Sequence, residues 1–195
     1  MDNNFDNANV SKKELLAVSS KAFCVINDEI EDKMRASVEK ARLDGDSIGG
    51  VIECAVVGVP VGIGANIFST VEGHISSALF GVPAVKGVEF GAGFDFAKMT
   101  GYEANDTYSI LNGNVKINKN NNGGVLGGMT TGAPIIVRAV VKPTPSISKA
   151  QKSVNLQKMT EEELVIHGRH DPCIVPRAVP VVESAVAFAL LDLMA

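Results

Sequence analysis

The hydrophobic period of this 195-residue chain changes near Gly45, and the change restricts the folds that it can adopt. In residues 26–38 an isoleucine, methionine or valine recurs at every fourth position, which predicts a helix with one apolar face. Residues 47–60 are instead rich in β-branched side chains and run into a turn of glycine and proline, which predicts a strand. The sequence therefore predicts helices and strands packed in one mixed fold.

The same two periods recur along the rest of the chain. Residues 66–80 repeat apolar side chains every four positions and predict a second helix. Residues 83–91, 134–141 and 160–166 predict strands, and residues 178–194 predict a final helix. Apolar residues surround this last helix, so we expect it to be buried on nearly all sides.

Other regions lack such periodicity. Residues 1–22 are polar and are expected to be poorly ordered apart from a short helix or strand at 11–19, with the folded domain spanning residues 23–195. Residues 101–128 are rich in glycine and asparagine, and so long a connection predicts a functional loop or a disordered segment. The basic residues 149–152 are interpreted as a surface loop.

The composition argues against several classes of function. A net charge of -4, the absence of tryptophan and only two tyrosines argue against a nucleic-acid partner. Cys24, Cys54 and Cys173 form neither a disulfide framework nor a metal-ligand pattern, so we predict no metal and a reducing, cytoplasmic location. We find no secretory signal and no apolar run long enough for a bilayer, so no membrane partner is expected.

Residues 168–173 bring an arginine, a histidine, an aspartate and a cysteine close together. Arg169 offers a planar fork of donors that suits phosphate, and His170 and Asp171 can both transfer protons. Asp171 precedes a proline, which predicts a loop rather than a helix. The same cluster also fits a solvated loop with a local salt bridge, or a hydrolase or metalloenzyme, although a metalloenzyme would need a second ligand cluster.

Two further segments suit an anionic or flat ligand. Residues 142–146 read Lys-Pro-Thr-Pro-Ser, in which two prolines stiffen the backbone and present a cation and two hydroxyls at fixed spacing. The glycines of residues 123–128 let backbone approach a ligand closely. A proline-rich strand exit and an ordinary flexible turn explain the same compositions.

Six motifs follow one another in the order and with the spacing of a single enzyme family. They are GDSIGG at 45–50, GVPVGIG at 58–64, PAVKGVEFG at 83–91, GGVLGG at 123–128, KPTPSI at 142–147 and GRHDPC…PRAVPVVE at 168–183. Together they resemble the C-terminal half of chorismate synthase over about residues 23–195. Each motif alone is weakly specific, but the ordered set of six is highly specific.

The resemblance implies an α+β fold in which helices pack between antiparallel sheets, a β-α-β sandwich, and a homotetrameric assembly. The family's N-terminal motifs, with its acid–base histidines, substrate-binding arginines and another flavin-binding stretch, do not occur in this sequence. We therefore expect the chain to correspond to the C-terminal half of the family's fold and to have little or no activity alone. The alternative is a non-catalytic fragment that binds flavin weakly or not at all.

The resemblance also implies a reaction. Chorismate synthases are lyases that eliminate phosphate from 5-enolpyruvylshikimate 3-phosphate to give chorismate, in the shikimate pathway that leads to the aromatic amino acids. They require reduced FMN, which is thought to lend an electron transiently and recover it, and NADPH is a candidate source of the reducing electrons.

Carried onto this sequence, the family's motifs imply specific site residues. The flavin-contacting positions are Pro83, Ala84, Gly127, Lys142, Pro143, Thr144, Pro145, Ser146 and Arg169. Asp171 matches the family's acid–base aspartate, whereas His170 is expected to be structural. Arg169 could equally contact the substrate. Arg177 and Glu183 are expected to pair and to cap the last helix.

Overall fold

The computed structural model describes residue 5, residues 7–65 and residues 67–195. The helices are α1 (Lys12–Ser19), α2 (Asp28–Leu43), α3 (Val71–Gly81), α4 (Gly101–Ala104) and α5 (Val175–Met194), with a 3-10 helix at Gly93–Lys98. The strands are β1 (Gly50–Val56), β2 (Val85–Phe90), β3 (Tyr108–Leu111), β4 (Asn114–Ile117), β5 (Val125–Leu126), β6 (Met129–Thr130), β7 (Ile135–Val141), β8 (Gln151–Asn155) and β9 (Thr160–Leu164). In these described residues, no helix is both long enough and apolar enough to cross a membrane.

The central sheet is antiparallel, with β7 between β1 and β2. Strand β7 reads Ile-Ile-Val-Arg-Ala-Val-Val, and such a nearly continuous apolar run is typical of a central strand. Its odd-numbered residues, 135 to 141, are all buried and face the helices. The remaining strands form three two-stranded hairpins, β3–β4, β5–β6 and β8–β9.

The hydrophobic core lies between the inner face of this sheet and the helices α3 and α5. Helix α3 buries one stripe, Val71, Ile75 and Leu79, with no exposed surface on any of the three. Helix α5 contacts both α3 and β1. It buries Val182, Val186, Ala189 and Leu190.

The outer face of the sheet carries an ion cluster. Arg138 on β7 donates from Nε to Glu89 on β2 at 2.6 Å and from an Nη atom to Glu53 on β1 at 3.4 Å. Its other Nη atom donates to the backbone oxygen of Gly91 at 2.7 Å. The two carboxylates therefore keep a paired cation between them, which offsets their partial removal from water.

The predicted α+β class is confirmed, and most predicted elements are present. The period-of-four stripe at residues 26–38 lies largely on α2, and the β-branched run at 47–60 contains the shorter strand β1. The predicted strands at 83–91, 134–141 and 160–166 correspond to β2, β7 and β9. In the described residues the layering comprises one three-stranded sheet with α3 and α5 on its inner face.

Three expectations are corrected. Helix α3 begins at Val71 rather than at residue 66, because the Thr70 hydroxyl accepts the backbone N–H of Gly73 and caps the helix there; residue 66 itself lies outside the described residues. Residues 101–128 are not an irregular connection, since they contain α4 and the β3–β4 hairpin. The loop expected at 149–152 leads directly into β8, which begins at Gln151.

Helix α5 also differs from its prediction, because it is not buried on all sides. Phe188 is 72% exposed and Leu191 is 64% exposed, both on the side away from the sheet. The helix therefore has one buried face and one exposed apolar face. Its apolar residues are spread around the helix axis, and packing in this chain covers only part of them.

Part of the polar N-terminal region is ordered. Helix α1 has a complete capping box, in which Ser11 and Glu14 exchange hydrogen bonds. Before it, the backbone N–H of Phe5 donates to Glu53 at 2.8 Å, and the Asn120 side chain donates to the carbonyl of Asn7 at 2.7 Å. Helix α1 matches the short helix or strand predicted at 11–19, while the poor order of the rest of residues 1–22 and the domain boundary between residues 22 and 23 stay predictions.

We expect the Cys54 thiol to resist modification in the folded chain. Burial, followed by the negative charges of Glu183 and Glu53, raises its pKa to about 12. An alkylating reagent at pH 8 should therefore leave Cys54 unlabelled in buffer and label it in urea, as read by mass spectrometry. Since the folded pKa lies above the unfolded one, this group's contribution to the free energy of unfolding is present below about pH 9 and is lost as the pH rises toward 12. Rapid labelling of Cys54 in buffer would contradict its position in the core.

Candidate functional site

The predicted ligand-binding segment 142–146 follows directly from the central strand β7. The backbone N–H of Lys142 donates to the carbonyl of Ala84 at 2.9 Å, so the exit of β7 and the entry to β2 lie side by side. Ala84 has a φ of 74°, a left-handed conformation that is uncommon for a residue with a side chain. Strained backbone of this kind is frequent at ligand sites. Here the hydrogen bond between Lys142 and Ala84 brings the predicted site residues Pro83, Ala84 and Lys142 together.

A second segment, residues 45–49, packs against the first. The Ser47 hydroxyl donates to the carbonyl of Thr144 at 2.6 Å. Gly49 lies so close that an added Cβ would overlap the carbonyl oxygen of Val141 and approach the Pro143 ring to 3.0 Å. These contacts fix the backbone of residues 143 and 144 from one side.

The side chain of Thr144 has an unsatisfied hydroxyl. Its Oγ1 is buried, yet within the described residues it has no hydrogen-bond partner. Buried hydroxyls are nearly always paired, because an unpaired one loses its bonds to water without replacement. An atom of this kind beside a lysine and two prolines is suited to bind a polar ligand atom.

The third segment is the loop of residues 168–173, which is attached to the second. The backbone N–H of Ile48 donates to the carbonyl of Pro172 at 2.8 Å. Within the loop, Oδ1 of Asp171 accepts the backbone N–H of Cys173 at 3.1 Å, and Oδ2 accepts a hydrogen bond from Arg177. The His170 Nε2 atom lies 2.9 Å from the carbonyl oxygen of Ile166, an arrangement that supports the structural interpretation of His170.

Arg169 lines a cavity of about 390 Å³ beside this loop. The residues around it come from the end of α2, the 45–49 segment, the stretch before β8 and the 168–172 loop: Arg42, Gly45, Asp46, Ser148, Gly168, Arg169, His170 and Pro172. Three of these side chains can carry positive charge and one is an acid, so the cavity suits an anionic group better than a cation.

The charges at the site differ in how they are paired. Lys149 donates to Asp46 at 2.7 Å, and this hydrogen bond lowers the pKa of Asp46 and raises that of Lys149. Lys142 and Arg169 are exposed and form no ion pair within the described part of the chain. These two cations are therefore available to a phosphate or carboxylate. The described residues contain no group of three or more metal-ligating side chains that could hold a metal ion.

Gly127 is separated from the other predicted site residues. It lies in the turn between β5 and β6, with a φ of 61° and open space beside its Cα. The next residue, Gly128, accepts a hydrogen bond from Val71 at the start of α3, whereas Ala84 follows the end of α3. Lys142 directly follows β7, and a strand of seven residues separates its two ends by about 20 Å. Within one chain Gly127 therefore does not join the cluster around Lys142.

Two contacts at the site were missed or mistaken at the sequence level. The predicted pair of Arg177 and Glu183 is wrong, because Arg177 forms an ion pair with Asp171. Ser47 and Gly49 are parts of the motif GDSIGG, from which no individual role is predicted for either. The only feature of the sequence that indicates this role is the small size of the two residues, which is typical of close backbone packing.

The chain matches the family model for chorismate synthase over residues 7–195. A chorismate synthase from Korarchaeum cryptofilum is 51% identical over 85% of this chain and 46% of its own length. One from Thermococcus gammatolerans is 51% identical over 94% of this chain and 51% of its own length. A crystal structure of chorismate synthase matches with a TM-score of 0.73 at 29% identity, covering 95% of this chain and 49% of that one.

Thus the chain spans about half the length of the curated relatives and of the solved structure that it matches. The match covers nearly all of this chain, including every segment of the site. Identity near one half over most of the chain also leaves little room for a chance resemblance. The chain therefore belongs to the chorismate synthase family.

Proposed function

We propose that this chain contributes part of the active site of a chorismate synthase, which eliminates phosphate and a ring proton from 5-enolpyruvylshikimate 3-phosphate to give chorismate. One observation carries the proposal. Segments 45–49, 142–146 and 168–173 are distant in sequence, and the first joins the other two, because Ser47 donates to the carbonyl of Thr144 and Ile48 donates to that of Pro172. At this junction the buried hydroxyl of Thr144 has no partner in the described residues. Family membership supplies the reaction, and this junction supplies a binding site for its ligands.

The residues at the junction fit a flavin phosphate or another polar edge of FMN. Thr144 offers a hydroxyl without a partner, and Lys142 offers an exposed cation beside it. Pro143 and Pro145 restrict the backbone, so little conformational entropy is lost when these groups bind a ligand. Arg169 adds a second cation, whose planar donors suit a phosphate of the flavin or of the substrate.

Bound reduced FMN would supply the transient electron that the elimination requires. The chain's own residues act on charge and protons. Where it contacts the substrate, Arg169 would offset the negative charge that develops on the departing phosphate, as preorganised cations do in phosphate elimination. Asp171, held in the loop beside the 45–49 segment, is the proposed acid–base group, while His170 supports the loop.

Family membership also supports the wider proposals. The enzyme would be a cytoplasmic lyase of the shikimate pathway, with NADPH as a source of electrons for the flavin and a homotetramer as its assembly. Gly127 is retained as a proposed flavin contact. Because Gly127 lies far from Lys142 within one chain, we propose that it contacts a different part of the flavin, or a flavin bound to another copy of the chain.

A second candidate is a non-catalytic fragment. The observation that favours it is that the chain covers 49% of the solved chorismate synthase chain. The exposed apolar residues Phe188 and Leu191 would then promote association of the purified chain. Under either candidate we propose that these 195 residues alone have little or no turnover, since the family's acid–base histidines are not among them.

The test is anaerobic titration of the purified chain with reduced FMN, with and without the substrate, followed by flavin absorbance and fluorescence. We expect saturable binding that the substrate tightens. Thr144→Val keeps the shape of the side chain and removes the hydroxyl, so it should weaken flavin binding by about tenfold. Thr107→Val, at an exposed position, is the matched control and should bind like the unmodified chain.

The opposite outcome is equally informative. No saturable binding by the unmodified chain would favour the non-catalytic fragment. Equal flavin affinity of the Thr144→Val and unmodified chains would remove the observation on which the proposed site depends.

A further inference from the structure

We propose that Arg177 is a positioning residue that holds Asp171 as a carboxylate anion in a single orientation. The inference rests on the proposed function, because Asp171 matters to catalysis only if the site binds flavin and substrate. Arg177 lies in the first turn of α5, and Asp171 lies in the loop before it. Nothing in the family motif alone indicated that these two side chains touch.

Both oxygens of the Asp171 carboxylate are held from separate directions. Oδ1 accepts the backbone N–H of Cys173 at 3.1 Å, and Oδ2 accepts a hydrogen bond from the Arg177 guanidinium. The backbone N–H of Arg177 in turn donates to the carbonyl of Ile174 at 3.1 Å, which ties its position to the start of the helix. The carboxylate therefore has one favoured rotamer rather than a choice of several.

The pair is poorly placed to serve stability alone. The Arg177 side chain is 75% exposed and that of Asp171 is 25% exposed, and ion pairs this accessible add little to the free energy of unfolding. The Cys173 N–H would close the turn before α5 without any arginine. What Arg177 adds is a positive charge and a directed donor on the one carboxylate that the motif assigns to proton transfer.

Of the charged groups that the structure describes around Asp171, Arg177 is the one that pairs with it. Arg169 and His170 belong to the same loop, and Asp46 faces the loop from the 45–49 segment but is already bound to a lysine. Within the described residues, Arg177 is the one side chain that forms an ion pair with Asp171. Its hydrogen bond fixes Oδ2, so the carboxylate is presented to a ligand in one orientation, from which it can accept a proton. In that step an O–H bond forms at Asp171, and the donor atom on the ligand keeps the electron pair.

The test follows the carbon-13 signal of the Asp171 carboxyl across a pH titration of the chain. Arg177→Gln should move the signal's transition upward by about one pH unit, because the anion loses its adjacent cation. Arg177→Lys keeps the charge and should restore most of the original behaviour. Arg42→Gln removes a nearby arginine that is paired with Glu39, and it should leave the transition in place. Amide spectra of each variant check that it is folded.

The same samples are titrated with reduced FMN, which separates this inference from the proposed function. If Arg177→Gln moves the transition but no variant or unmodified chain binds flavin, Arg177 positions Asp171 and the proposed function fails. If flavin binds but the transition is the same in the unmodified, Arg177→Gln and Arg42→Gln chains, the positioning role is overturned. A transition that moves equally with Arg42→Gln also overturns it, because the effect is then one of general charge.

Discussion

Replacing Leu79 by alanine should remove a large part of the stability of this chain and sharply lower its urea midpoint. Leu79 has no exposed surface and lies in the core between α3, α5 and the sheet. Removing a buried leucine side chain costs about 2–5 kcal/mol, through lost burial and the cavity that remains. A domain of this size has only about 5–15 kcal/mol of stability in total. Urea denaturation followed by circular dichroism should show a midpoint far below that of the unmodified chain.

Leu191→Ala is the matched control, since it makes the same chemical change at a residue of α5 that is 64% exposed. Its urea midpoint should stay close to that of the unmodified chain. If both variants lost similar stability, the outer face of α5 would be buried in solution by association. If neither lost stability, the assignment of Leu79 to the core would be wrong.

The elements that could be predicted from sequence are those whose pattern has one physical cause. The run at 134–141 is apolar at nearly every position because β7 is the central strand of the sheet and its inner face lies in the core. The stripe of Val71, Ile75 and Leu79 repeats every four residues because α3 buries one face. The sequence of α5 wrongly predicts burial on all sides, because it is apolar on faces that packing in this chain does not cover.

The β3–β4 hairpin was missed although a local signal exists. Asn112 and Gly113 have φ values of 52° and 78°, and Asn-Gly is the preferred pair for a two-residue hairpin turn. The flanking strands are short and exposed, so alternation of apolar and polar residues was too brief to stand out. The turn residues, rather than the apolar period, therefore indicate this hairpin.

The site shows a different limit. The family motifs named Thr144 and Asp171, but sequence could not show what holds them. Ser47 reaches Thr144 across 97 positions of sequence, a contact that only the packing of β1 beside β7 creates. Arg177, the partner of Asp171, lies only six positions away from it. The sequence nevertheless predicts that Arg177 pairs with Glu183, because the geometry of the loop before α5 cannot be derived from the sequence.

Gly49→Ala should abolish or strongly weaken flavin binding while leaving most of the fold in place. A methyl group at this position would overlap the carbonyl oxygen of Val141 and press on the Pro143 ring at 3.0 Å. Both obstacles belong to backbone or to a rigid ring, so the 142–146 segment has to move. Overpacking of this kind costs about 1–3 kcal/mol, and a shift of about 1 Å is enough to disrupt a preorganised site.

The expected result is a loss of reduced-FMN affinity of about tenfold or more, measured by the anaerobic titration, with a modest fall in the urea midpoint. Gly81→Ala is the control, because an added Cβ there meets no atom within 4 Å. It should bind flavin like the unmodified chain. Unchanged affinity in Gly49→Ala would mean that the flavin does not depend on the placement of residues 142–146. Within residues 142–146, the cation and the hydroxyls that are proposed to hold the flavin would move together. Unchanged affinity would therefore exclude this segment as the flavin site.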